Sequence, residues 1–350
     1  MPKKNAIVYA EGLYNCANGK TAHGLVRYSK RYKISCVVDS TLNETDAGII
    51  LDGIKRDIPL YNNFDKALKL TNADTFIIGA VSEGGILPDG YDKAVEWALL
   101  NGLDVISGLH HFISDDAYFV KLSKEKKCNI IDVRKIFRDY KRFYTGEINK
   151  VKSLRIAILG TDSAIGKRTI AVMLNEELKK HNKKSDMIYT GQTGWLQGWK
   201  HGIIIDAMIN DFVAGGIEGA IIDSWNDEHP EFIIIEGQGS LVHPFFPGGF
   251  EILAAGKVDG FILVDAPKRK NLDGFPGYPM PDPSRVVKIA ELLTEKPLIG
   301  IGINKENMVE EDIKISKKKL SKMFNVPVVE PLSDGVSKLV DSLVEINEKR

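Results

Sequence analysis

At 350 residues the chain exceeds one ordinary domain and suits two. Apolar residues make up 43% and charged residues 27%, the balance of a soluble globular protein, and no apolar run reaches the roughly 18 residues of a membrane span. Formal net charge is zero, so no basic field points to nucleic acid, and three scattered cysteines (Cys16, Cys36, Cys128) argue against a disulfide framework or a structural zinc site. The opening MPKKNAIVYAEG has too short an apolar run for a signal peptide, and a cytoplasmic location is expected.

In the first half, β-branched runs alternate with helical stretches. NAIVYA (5–10), ISCVVD (34–39), TFIIGA (75–80), DVISG (104–108) and CNIIDV (128–133) are the expected strands. Such alternation predicts a mostly parallel sheet covered on both faces. The turn after the first strand, YAEGLYNCANGKTAHGLVRYS, contains Gly-Lys-Thr but no G-x-G-x-x-G, so it reads as Rossmann-like without a dinucleotide fingerprint. Asp39, ending the second run, is the candidate for a ribose contact. The polar stretch RDYKRFYTGEINKVKS has no strong strand, and the domain boundary is placed there, giving 1–150 and 151–350.

A second alternating series follows: RIAILG (155–160), MIYTG (187–191), FIIIEG (232–237), GFILVDA (260–266), PLIGIGIN (297–304) and VPVVEP (326–331). Residues 333–348 predict an amphipathic helix with Val336, Leu339, Val340, Leu343 and Val344 on one face. The fold class expected is α/β, with two doubly wound parallel-sheet domains. The Pro- and Gly-rich stretch APKRKNLDGFPGYPMPDPS is long for a connection, as loops with a function tend to be.

The stretch GTDSAIGKRT carries the strongest chemistry. A buried strand ends at Gly160; Thr161, Asp162, Ser163, Ala164, Ile165 and Gly166 form a loop; a helix opens at Lys167. Glycines at both ends let the backbone curl so that N–H groups face an anion. The helix N-terminus adds its positive end and Lys167 a full charge. Five residues, rather than the commoner four, separate the two glycines. With that spacing GTDSAIGK resembles the phosphate loop of dethiobiotin synthetase-type P-loop proteins. Arg168 departs from the pattern, because the hydroxyl that holds Mg²⁺ normally follows the lysine directly. Thr169 comes one residue late, about 100° round the helix. Arg168 is a candidate to neutralise phosphate oxygens, or else to face solvent or pair with a neighbour.

Ligands of open parallel sheets bind beyond the strand carboxyl ends. Those ends here carry Thr190 to Thr193, Glu236, Asp265 and Asn304. Glu236, in a Glu-Gly pair similar to that of the synthetase-like proteins, is a candidate proton acceptor or metal holder, or an acceptor of hydrogen bonds from the phosphate loop. Asp265 is the second carboxylate if Mg²⁺ is used. By the same resemblance Asn304 is expected to read an adenine edge. Asp206 is a candidate helix cap. His201 and His243 are structural residues or bases.

The whole chain resembles the D-glutamate N-acyltransferase (DgcN-like) family, in which a Rossmann-like N-terminal domain precedes a P-loop NTPase-like C-terminal domain. The motifs that carry the resemblance are GKTAHGLVRYS, GAVSEGGILP, GTDSAIGKRT, TGQTGW, DAMINDFVAGGIE and IIEGQGSLVHP. The resemblance implies an acyl-CoA donor, acetyl-CoA for example, with the loop (160–169) holding its phosphates. It implies Glu236 or His243 as base, Lys167 as a third catalytic group and the N–H groups of Gly237 to Ser240 as oxyanion donors. Gln192, Thr193, Asp211 and Arg168 are then the candidate substrate residues. Two other classes stay open: an ATP- and Mg-dependent ligase, and a nucleotide sensor with little turnover. The expected partner is a small-molecule substrate, and a homo-oligomer is expected.

Overall fold

The computed structural model describes residues 3–350. The chain forms two compact units, Met1–Asp139 with Gln192–Trp199, and Tyr140–Gly191 with Lys200–Arg350.

The first unit is built on seven strands: β1 (Lys4–Tyr9), β2 (Tyr32–Val38), β3 (Thr45–Asp46), β4 (Pro59–Tyr61), β5 (Thr75–Ile78), β6 (Asp104–Ser107) and β7 (Ile130–Asp132). Their order is β3-β4-β2-β1-β5-β6-β7, parallel except for the β3–β4 pair. Helices cover both faces, so strand interiors read as continuous apolar runs rather than alternations. Ile7, Phe76, Ile78 and Val105 are fully buried against Val95 and Leu99 of the helix Tyr91–Leu100. All five strands expected in this half are present. β3 and β4 went unforeseen because two- and three-residue strands are too short to show a period.

Asp39 is not a ribose ligand in waiting. It is fully buried and accepts from the N–H groups of Gly12, Tyr14 and Thr41 at 3.0–3.1 Å and from the Thr41 hydroxyl at 2.6 Å. It fastens the turn after β1, and its carboxylate accepts from three backbone N–H groups and one hydroxyl of the protein itself.

The second unit holds β8 (Leu154–Gly160), β9 (Ser185–Ile188), β10 (Phe232–Ile235), β11 (Gly260–Asp265), β12 (Leu298–Ile303) and β13 (Val328–Val329). All run parallel in the order β13-β12-β11-β8-β10-β9. β8 is central and buried along its whole length. The chain steps from β8 out to β9, back to β10, then across to β11, so the order reverses at β8. In open parallel sheets ligands bind at such a reversal, here the β8 carboxyl end. The last helix begins at Ser337 rather than 333 and buries Leu339, Val340 and Leu343, while Val336 is buried as its N-cap residue and Val344 is half-buried.

The first break between the compact units falls at Asp139/Tyr140. The polar stretch after Asp139 packs on the helix Asn210–Glu228. Gly215 and Gly219 make room for it: a Cβ at Gly215 would lie 2.0 Å from the Arg142 carbonyl oxygen, and one at Gly219 would lie 2.3 Å from Arg142 Nε. Buried Glu218, on the same helix, accepts from the N–H groups of Thr145 (2.6 Å) and Ile148 (3.2 Å) and from the Thr145 hydroxyl (3.1 Å). Glu218→Ala strands those donors and is expected to cost about 2 kcal/mol. A denaturation midpoint equal to wild type would refute this role.

His201 is a structural residue. Its Nδ1 lies 2.6 Å from Asp186 and its Nε2 lies 2.8 Å from Asp227. Burial pulls its pKa down, but the two carboxylates outweigh this and raise it. A raised folded value stabilises fully below the unfolded pKa of about 6.5 and fades as pH climbs through the folded value. The stability gap between wild type and His201→Gln is therefore expected to be wide at pH 6 and to narrow at higher pH. Urea midpoints at about pH 6 and pH 8.5 test this, and a gap that widens with pH would contradict it.

Candidate phosphate-binding site

The loop from Thr161 to Gly166 leaves β8 and enters the helix Lys167–Lys180. Its entry is tied to β11: the Thr161 N–H donates to Val264 O at 3.0 Å and its hydroxyl to Asp265 at 2.7 Å. Ala164 (φ 51°) and Gly166 (φ 102°) take left-handed backbone angles, the kind of turn that gathers N–H groups into an anion nest. The N-cap residue of that helix is Gly166, so no N-cap side chain covers its N-terminus. Lys167 is buried, and its Nζ donates to the Asp162 carbonyl at 2.5 Å. Gly237 lets β10 close against this lysine and β8: a Cβ there would lie 1.7 Å from Ile158 O and 3.1 Å from Lys167 Cδ.

Asp162 is the hub of the loop. It is fully buried and accepts from Ser163 N (2.7 Å), Arg269 Nη1 (2.8 Å) and Asp273 N (2.9 Å). Arg269 also donates to Ser163 O at 2.9 Å and pairs with Glu306 at 2.5 Å, while the Ser163 hydroxyl donates to Asp273 at 2.6 Å. The long Pro- and Gly-rich loop is thus latched onto the phosphate loop. Neither Arg269 nor Asp273 was named from sequence. They lie more than a hundred residues away from Asp162 inside a charged run, and no local pattern marks them.

Arg168 does not face solvent. Its Nη2 pairs with Glu236 Oε1 at 2.7 Å, and its buried Nε has no hydrogen-bond partner. Glu236 Oε2 accepts from Thr190 N at 3.2 Å, and the Thr190 hydroxyl donates to Glu236 O at 2.9 Å. Gln238 Nε2 closes this group by donating to Thr190 O at 2.9 Å. The arginine therefore meets a carboxylate of its own chain.

Three expectations change here. Asn304 donates from Nδ2 to Ile165 O (3.1 Å) and accepts from Glu306 N at Oδ1 (2.9 Å), so its amide braces the phosphate loop rather than standing ready for an adenine. Ser240 N is bonded to Phe246 O, which narrows the candidate oxyanion donors to Gly237, Gln238 and Gly239. His243 Nδ1 accepts from the N–H groups of Phe245 (3.1 Å) and Phe246 (3.2 Å), so the ring has no free lone pair with which to act as base.

Mg²⁺ does not suit this donor set. Glu236 faces a guanidinium, Asp265 is held by Thr161 and its pKa is raised by burial, and the position after Lys167 is a cation. Among the described residues no group of three or more His, Cys, Asp or Glu is placed to hold a metal ion. Thr169 sits in the first turn of the helix. Of the other proposed substrate residues, Asp211 lies outside this cluster. Asp211 is exposed in the first turn of the helix Asn210–Glu228, whose N-cap is Ile209, not Asp206. Gln192 and Thr193 belong to the first unit, where Gln192 accepts from buried Arg134 (3.1 Å) and Thr193 shares a hydrogen bond with Thr21 (3.1 Å).

Fold and loop together define a P-loop protein of α/β architecture, in which a Rossmann-like sheet domain precedes the phosphate-loop domain. The chain belongs to the DUF1611 family. Residues 40–136 match its Rossmann-like domain (DUF1611_N), and residues 142–340 match the "Domain of unknown function (DUF1611_C) P-loop domain". Two curated relatives are named D-glutamate N-acetyltransferase. One, from Pseudoalteromonas sp, is 32% identical over 79% of this chain and 83% of its own length. The other, from Tritonibacter scottomollicae, is 30% identical over 85% of this chain and 89% of its own. The crystal structure of a DUF1611 family protein from Anabaena variabilis is similar with a TM-score of 0.89 at 25% identity, covering 98% of this chain and all of the other. No helix among the described residues is long and apolar enough to cross a membrane.

Proposed function

We propose that the protein is an N-acyltransferase that moves an acyl group from an acyl-coenzyme A to the amino group of an acidic amino acid resembling D-glutamate. The observation that carries this reading is the Arg168–Glu236 pair. It puts a neutralised carboxylate where a nucleotide-splitting loop would hold Mg²⁺, while the helix N-terminus and Lys167 remain suited to phosphates. The names of the curated relatives support the same chemistry. The phosphate loop holds the coenzyme's phosphates without splitting them. The amine nitrogen attacks the thioester carbonyl, the C–S bond breaks, and the coenzyme leaves as thiolate. The backbone of Gly237 to Gly239 faces the developing oxyanion. Glu236 accepts the amine proton: a carboxylate has about four lone-pair sites, and Arg168 and Thr190 occupy only some of them.

Calorimetric titration with acetyl-coenzyme A and with ATP, each with and without Mg²⁺, tests the reading. Magnesium-independent binding of the coenzyme, with acetylated amino acid detected by mass spectrometry, is expected. Magnesium-dependent ATP binding with ADP release would instead establish a ligase.

A further inference from the structure

His243 is a site residue whose chemistry is fixed by its surroundings yet not used up by them. Its side chain is wholly buried. Two backbone N–H groups, of Phe245 and Phe246, converge on Nδ1. An imidazole nitrogen that accepts hydrogen bonds carries no proton, so in the neutral ring the proton sits on Nε2. That nitrogen faces the phosphate loop, 3.6 Å from Asp162 Oδ1, beyond hydrogen-bonding distance; the Asp273 backbone lies near enough to favour a protonated ring, yet no acceptor meets Nε2 with hydrogen-bond geometry. Asp162 has other donors: Ser163, Arg269 and Asp273. A buried donor left without an acceptor costs stability, and sites built for a ligand are where such donors persist.

We propose that His243 is a neutral, tautomer-locked hydrogen-bond donor whose Nε2–H bonds an anionic oxygen of the ligand seated on the phosphate loop. The inference rests on the phosphate-binding half of the reading above and not on acyl transfer. The charged and titratable groups around the ring are Asp162, Asp273 and Lys167, with Arg269 behind Asp162. Burial, the largest influence, keeps the imidazole below its usual pKa, outweighing Asp162 and the Asp273 backbone. A neutral donor keeps its Nε2 proton as pH rises through neutrality, whereas a histidinium would lose its charge there.

Two substitutions separate the two ring nitrogens. His243→Asn keeps an acceptor at the reach of Nδ1 but loses the far donor. His243→Gln keeps a donor near the reach of Nε2 but loses the near acceptor. The probe is inorganic sulfate, whose charge is constant over the range used. The full-length wild type is expected to bind it with an affinity flat between about pH 6 and 8.5. His243→Asn is expected to lose about tenfold or more in affinity at a near-wild-type melting temperature. His243→Gln is expected to melt earlier yet retain most of the affinity. Nitrogen NMR of histidine-labelled protein should show the Nε2–H tautomer. Equal sulfate affinity of wild type and His243→Asn overturns the proposal, as does a wild type that binds no sulfate or releases it as pH rises through 7. A wild type that binds sulfate as described but acetylates nothing leaves the donor standing and removes only the transferase reading.

Discussion

Lys167→Ala is expected to weaken coenzyme binding by about 100-fold or more and to lower acetyl transfer at least as much, with little change in melting temperature. Each charge-assisted hydrogen bond to a phosphate is worth about 1.5–3 kcal/mol, and 1.4 kcal/mol is a factor of ten. A lysine bridging two phosphate oxygens therefore accounts for at least two decades. The effect on folding is small because two contributions oppose each other. The side chain is 7% exposed, so the folded state bears the cost of desolvating its charge. Against that stands its bond to the Asp162 carbonyl. Losing both nearly cancels. Lys167→Arg should not rescue fully, because a planar guanidinium does not reproduce the compact ammonium that bonds the Asp162 carbonyl. Calorimetry with acetyl-coenzyme A and a thermal melt of the same sample check both halves. Unchanged transfer and coenzyme affinity would remove the loop from the mechanism.

Much of this site was legible in the sequence because its parts are local. A buried run ending in Gly160, a turn, and a helix opening at Lys167 lie within a few residues of one another, and periodicity alone orders them. The parallel sheet was legible for the same reason, since each strand carries its own apolar run. What parts of the loop do depends on distant partners. Asp265 and Asn304 were correctly singled out as strand-end residues, but their partners Thr161 and Ile165 lie more than a hundred residues away. No spacing rule shows that each braces the loop. Arg269 and Asp273 went unnamed because a charged residue in a Pro- and Gly-rich stretch is ordinarily solvated. Here Asp162, fully buried, draws both inward. His243 was noticed as a titratable group, but its role turns on which ring nitrogen meets the N–H groups of Phe245 and Phe246, and only the folded turn decides that.

Arg168→Ser is expected to destabilise the protein by about 3 kcal/mol and, in exchange, to make nucleotide binding respond to magnesium. The first effect follows from burial. Glu236 is 3% exposed and Arg168 is 21% exposed. Removing one partner of a buried pair leaves an uncompensated charge, at a cost of about 3–5 kcal/mol. The remaining exposure of Arg168 and the Thr190 N–H place this case at the low end. The second effect follows from position. The substitution restores a hydroxyl directly after the loop lysine and frees a carboxylate beside it, which are two of the features that hold Mg²⁺ in nucleotide-splitting loops. The companion variant Arg168→Ala/Glu236→Gln removes both charges, so it should regain most of the stability while gaining no magnesium response. Urea midpoints, with ATP titrations in magnesium and in EDTA, separate the two effects. If Arg168→Ser is as stable as wild type, the pair seen between Arg168 and Glu236 contributes nothing to folding. If it is destabilised but blind to magnesium, the arginine holds the site together without being what keeps the metal out.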